Sequence, residues 1–272
     1  PAAAGQPAVR ESLQNLLMGL VDGVTAVIPR RRPGREQLLQ CKLVSHRGEH
    51  DNRQVFENTL PAFALARDAG VWGIECDVRW TADLVPIVVH DPDTGRVFGE
   101  SIRFSDLPFG ELRERHPLVP SLQELVAEFG GNTHLMIEVK REAYPDPARQ
   151  QQVLADLLAG LTPAVDFHFL ALDPALFRHV GFAPASSLLP VAEFNVETLS
   201  KQSLAEGYAG LAGHYLLLGN RLQQRHRARG QHIGTGHVGS RNALFREINR
   251  GVEWIFSNDA VGMQQLLDRL LA

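Results

Sequence analysis

Cysteine is nearly absent: the 272 residues hold two, Cys41 and Cys76. That number and spacing build neither a disulfide framework nor a zinc cluster, so two free buried thiols are expected. No stretch approaches the ~20 apolar residues of a membrane-spanning helix. Neither charge dominates: 27 Lys and Arg face 31 Asp and Glu, a net charge of -4. This excludes a general nucleic-acid binder, and an anionic ligand would need a local positive centre. The arginine-rich run "RLQQRHRARG" (221–230) has no interleaved aromatics on which bases could stack, so it reads as a solvated helix face. No secretory signal pattern opens the chain, which begins at Pro1, and a cytoplasmic location is the expectation. What is left, 44% hydrophobic and 21% charged residues, is the composition of a globular chain with one sizeable core.

Residues 1–10 read as a loose arm. In "ESLQNLLMGLVDGVTAVI" apolar residues then fall at 13, 16, 17, 20, 21, 24, 27 and 28, one stripe of an amphipathic helix. Docking of that stripe on the chain's own core is favoured over a membrane surface, because Glu11 and Asp22 lie within it and Arg30–Arg32 lie beyond it. Pro29 and Pro33 end it, giving an N-terminal unit over 1–40 and a main domain over 41–272. From Lys42 onward short apolar runs alternate with helical patterns, which implies parallel pairing in an α/β fold. Nine strand candidates occur, but too few residues separate Asp77 from "VPIVVHD" for a parallel crossover of a dozen or more. That segment is therefore a hairpin excursion. Eight parallel strands remain, at 42–46, 71–78, 133–140, 167–173, 187–194, 214–220, 232–238 and 254–258. Eight strands with intervening helices predict a TIM (β/α)8 barrel, with a short insertion after strand 2 at about 92–120.

In such a barrel the functional groups sit at the C-terminal ends of the strands. His46 and Arg47 end strand 1, Glu75 and Asp77 end strand 2, Glu138 and Lys140 end strand 3, and His90 ends the hairpin. Alternate strand residues share a side, so Glu75 projects with Asp77 and Glu138 with Lys140. Three carboxylates at one mouth repel unless protonated or bound to a cation, and an all-oxygen set suits Mg²⁺ or Ca²⁺. His46 and His90 are available as general base and general acid. Arg47 and Lys140 add fixed positive charge fit for phosphate oxygens. Together these groups point to phosphoryl chemistry on an anionic ester. His168, His179, His214, His226, His232 and His237 lack such company and read as structural or surface residues; "GTGHVGS" leaves His237 the nearest to an exception.

The segments "HRG" (46–48), "ENTLPAFALARDAG" (57–70), "IECDVRWTAD" (74–83), "VVHD" (88–91) and "IEVK" (137–140) resemble, in that order, the glycerophosphodiester phosphodiesterase family. The resemblance is specific from about residue 42 to 140 and continues more weakly to "GVEWIFSND". It implies one divalent cation held by Glu75, Asp77 and Glu138, acid/base roles for His46 and His90, and phosphate contacts from Arg47 and Lys140. The implied reaction hydrolyses a glycerophosphodiester, a small-molecule substrate, to glycerol 3-phosphate and an alcohol. Similarity to the related phospholipases C implies initial attack by the substrate's own hydroxyl through a cyclic phosphate. Two alternatives stand beside it: a lysophospholipase D-like activity at membranes, and a barrel that binds glycerophosphodiesters without turnover. The chain departs from the family's usual pattern at "IGTGHVGSRN" and "ALDPALF", positions implied to line the alcohol side of the pocket.

Overall fold

Eight parallel strands close into a ring in this computed structural model, which describes Gly23 and residues 25–272. They are β1 (Lys42–His46), β2 (Gly73–Trp80), β4 (His134–Val139), β5 (Phe167–Ala171), β6 (Leu188–Ala192), β7 (Gly210–His214), β8 (His232–Gly236) and β9 (Trp254–Ser257). The ring closes through the pairing of β1 with β2 and of β1 with β9. β3 (Pro86–Val88) lies outside it, antiparallel to β2 with Val78 opposite Val88, so the excursion is the hairpin its short connection required. The fold is the expected TIM barrel.

Period-two alternation decides what fills the ring. Val44, Met136, Leu170, Leu189, Ala212 and Phe256 point inward and form one buried cluster. The opposite faces of the same strands carry Leu43, Ile74, Cys76, Leu135, Ile137 and Phe169 outward into a larger buried layer shared with the helices. After β3 the insertion packs a small core of its own from Ile87, Val89, Phe104, Leu112 and Val119. Cys41 and Cys76 are free thiols, half-buried and buried.

Two readings need correction. The sixth of the eight parallel strands, β7, runs over Gly210–His214, not 214–220. The leucines of "HYLLLGN" invite a strand, yet Leu218 packs with Leu211 and Leu222 outside the ring. The strand falls instead where small residues are needed, since a Cβ on Gly210 would stand 1.9 Å from the His232 carbonyl oxygen. The crossover from β5 to β6 contains 3₁₀ turns at Pro174–Val180 and Ala185–Ser187. Most of the helix expected over 11–28 lies outside the described residues. Of its last positions, Thr25 is buried, while Val27 and Ile28 are 76% and 41% exposed. Among the described residues no helix is long and apolar enough to cross a membrane.

Candidate active site

The C-terminal ends of β1, β2 and β4 bring His46, Arg47, Glu75, Asp77, Glu138 and Lys140 to one mouth. Register does this: His46 pairs with Glu75, and Asp77 pairs with Glu138 across the ladder. The carboxylates of Glu75, Asp77 and Glu138 each place an oxygen within 4.8 Å of the other two. Glu75 and Asp77 are buried and Glu138 is partly so.

Two cations are built against these three acids. Lys140 Nζ donates to Asp77 Oδ1 at 2.9 Å and to Glu138 Oε1 at 2.6 Å. Arg47 Nε lies 3.2 Å from Asp77 Oδ2, and its backbone N–H donates to Glu75 Oε2 at 3.1 Å. Burial works to raise the Asp77 pKa, but Lys140 first and Arg47 next outweigh it and hold the carboxyl well below the usual range. Glu75 goes the other way: burial, then Asp77 and Glu138, push its pKa well up. Its Oε1 is buried and has no hydrogen-bond partner among the described residues. A buried carboxylate oxygen left unpaired among two other acids fits a divalent cation's oxygen donor set, with Glu75, Asp77 and Glu138 as the residues that would hold it.

His46 and His90 stand in different surroundings. His46 Nδ1 is 2.7 Å from Asn258 Oδ1, so Nδ1 carries the proton and Nε2 keeps its lone pair, 3.7 Å from Glu75 Oε2. Its pKa is driven well down, by burial first and then by Arg47 and His237. His90, from the hairpin, is 2.9 Å through Nδ1 from the Asp91 carboxylate, and its carbonyl accepts from Arg79 Nε at 2.7 Å.

Four participants escaped the sequence reading. Thr59 caps the helix that follows β1, and Asn58 beside it, at φ 56, donates to Asp77 Oδ2 at 2.8 Å. Asn258 orients His46. His214 and His237 were set aside as structural or surface residues, yet the His237 ring centre lies 5.5 Å from that of His46 and 5.8 Å from that of His214. Placing the sixth predicted strand, 214–220, four residues late put His214 at the wrong end of the barrel. With the strand at Gly210–His214, inward alternation through Ala212 would have put His214 at the mouth.

The fold and this cluster define a class: a TIM barrel whose mouth carries an acidic, cation-ready triad between two histidines and two basic side chains. Residues 46–170 match the model of the glycerophosphoryl diester phosphodiesterase family. Glycerophosphodiester phosphodiesterase 1 of Bos taurus is 34% identical over 116 residues, 37% of this chain and 34% of the bovine protein. The chain therefore aligns with about a third of that relative's length. The glycerophosphodiester phosphodiesterase of Bacillus altitudinis is 28% identical over 175 residues, 58% of this chain and 66% of that protein. Among solved structures, the Thermotoga maritima glycerophosphodiester phosphodiesterase shares the fold, with a TM-score of 0.69 at 20% identity over 83% of this chain and 98% of its own. An Oleispira antarctica phosphodiesterase, solved with the product sn-glycerol-3-phosphate, has a TM-score of 0.69 at 18% identity and covers 84% of this chain and 96% of its own.

Proposed function

We propose that the chain hydrolyses glycerophosphodiesters to sn-glycerol 3-phosphate and an alcohol, using one divalent cation, Mg²⁺ or Ca²⁺. The observation that carries this is the unpartnered buried Glu75 Oε1 within a three-carboxylate cluster flanked by His46, Arg47 and Lys140. The family match over residues 46–170 and the sn-glycerol-3-phosphate bound to the Oleispira antarctica barrel support it. A divalent cation held by Glu75, Asp77 and Glu138 would supply positive charge to the phosphoryl group and lower the cost of deprotonating the attacking hydroxyl. His46, neutral with a free Nε2, acts as the base that takes the proton from the attacking hydroxyl. His90, as the imidazolium with Nδ1–H donated to Asp91, gives its Nε2 proton to the leaving alcohol oxygen. It then takes one from the water that opens the cyclic phosphate, while His46 returns its proton to the glycerol oxygen. Arg47 and Lys140 supply fixed positive charge to the phosphate; two of the three Lys140 N–H groups go to carboxylates, which leaves one donor.

One observation favours an acylated substrate as a second reading. At the same end of the barrel, after β5 and β6, Leu172 and Phe194 are 44% and 72% exposed. That apolar rim suits the chain of a lysophospholipid. Release of glycerol 3-phosphate from a panel of glycerophosphodiesters, with Mg²⁺, with Ca²⁺ and with EDTA, tests the first reading. Metal-dependent release abolished by EDTA is expected. Release of choline from lysophosphatidylcholine, with none of the diesters cleaved, would select the second reading and overturn the first.

A further inference from the structure

Arg96 belongs to the insertion, not to the ring, in the short helix Gly95–Phe98. Its guanidinium uses both of its edges. Nε donates to Asp91 Oδ2 at 2.5 Å, while Nη1 and Nη2 donate to the two oxygens of Glu57 at 2.9 and 2.6 Å. Each of these carboxylates also holds a group of the proposed chemistry. Asp91 Oδ1 pairs with His90 Nδ1, and Glu57 Oε1 accepts from Arg47 Nη1 at 3.1 Å. The Glu57 side chain is 4% exposed, and its other oxygen accepts from Asn52 Nδ2 at 2.7 Å. Buried in this way, Glu57 keeps its charge only with full pairing, and Arg96 provides two of its four hydrogen bonds.

His90 comes from the hairpin and Arg47 from the end of β1, two elements with separate backbones. Only a planar fork with several N–H groups reaches both supporting carboxylates at once; a lysine ammonium is a point charge on a flexible stem. We propose that Arg96 is a positioning residue, which clamps Asp91 and Glu57 together so that His90 and Arg47 face the same phosphate in fixed register. The proposal rests on the hydrolytic reading above and adds to it a role for the insertion.

The test compares Arg96→Ala and Arg96→Lys with the parent in turnover of glycerophosphocholine, and in Mn²⁺ binding followed by electron paramagnetic resonance. Misplacing a reacting group by about 1 Å costs about 10²-fold, so both variants are expected to lose kcat on that scale. KM should rise by less than kcat falls, because His90 acts only after binding whereas Arg47 also holds the bound phosphate. Mn²⁺ binding should be unchanged, and added guanidinium should restore Arg96→Ala but not Arg96→Lys. Either variant turning over at the parent rate would overturn the proposal, as would an Arg96→Ala loss that guanidinium leaves untouched. If the parent releases no product with any metal, the hydrolytic reading alone fails. The clamp is then judged from the His90 Nδ1–H signal in nitrogen-edited NMR: Arg96→Ala must lose it, and an unchanged signal refutes the clamp.

Discussion

The barrel's other end makes a prediction that owes nothing to catalysis. His134 and His168 open β4 and β5 and are buried. His134 Nδ1 is 2.9 Å from the Val165 carbonyl oxygen, which can only accept, so the proton is on Nδ1. His134 Nε2 is then an acceptor, and His168 Nδ1–H donates to it at 2.8 Å. This chain uses neutral rings, and burial, with His134 adding to it, presses the His168 pKa from 6.5 down to about 3. The unfolded chain takes up a proton at this imidazole as pH falls through 6.5, while the folded ring stays neutral until about 3; stability is present above that window and is lost as pH falls through it. At about pH 5 the parent has gone one and a half units below the unfolded value, which at about 1.4 kcal/mol per unit costs about 2 kcal/mol. In His168→Asn the amide N–H still reaches His134 but does not titrate. We expect the stability lost between about pH 7.5 and pH 5, from urea unfolding followed by tryptophan fluorescence, to be smaller in the variant by about 2 kcal/mol. Trp72 stacks on His134 and Trp254 meets His168 edge-on, so emission reports on this site. Equal losses in parent and variant would refute the claim that His168 is held neutral.

Other outcomes follow from the site and the ring. Glu75→Ala should abolish divalent-cation binding by calorimetry and glycerol 3-phosphate release while circular dichroism stays unchanged; retained metal-dependent turnover would remove Glu75 from the ligand set. His90→Ala should lower kcat by about 10²–10⁴-fold, the usual worth of a positioned acid or base, read under saturating substrate. Gly210→Ala should lower the melting temperature sharply or block folding, because its Cβ would fall 1.9 Å from the His232 carbonyl oxygen; a melting point equal to the parent's would show that the strands can part.

The strand ends were legible where chemistry interrupted an apolar run. Arg, His, Glu, Asp and Lys behind "KLVS", "GI" and "LMI" have no reason to be in a strand interior, so the mouth of β1, β2 and β4 could be read from polarity alone. The excursion was legible from arithmetic, since too few residues precede "VPIVVHD" for a crossover. What could not be read is where backbone sterics outrank hydrophobicity. β7 is "GLAGH", and its glycines are there because neighbouring backbones approach closely: a Cβ on Gly213 would lie 2.7 Å from the Ala192 carbonyl oxygen. An apolar run beside it drew the strand four residues too far along and hid His214. Asn258 and Glu57 were invisible for a different reason. Their roles depend on partners 212 and 39 residues away, in His46 and Arg96, and no local pattern encodes such pairs.

The charge arrangement explains why a cation belongs to the reading and is not an ornament on it. Lys140 divides itself between Asp77 and Glu138, and Arg47 between Asp77 and Glu57, so both cations favour the acids around Glu75 more than Glu75 itself. Among the described residues Glu75 receives only a backbone N–H on Oε2, with the neutral His46 beyond it. Left so, burial and its acidic neighbours favour a proton on Glu75, and a protonated carboxyl is a poor ligand and a poor electrostatic partner. A divalent cation at the triad would favour the ionised carboxylate instead, so metal binding should release protons to the buffer. Calorimetry in two buffers of different ionisation enthalpy measures this directly, and an apparent enthalpy independent of buffer would show that Glu75 is already ionised before the metal arrives.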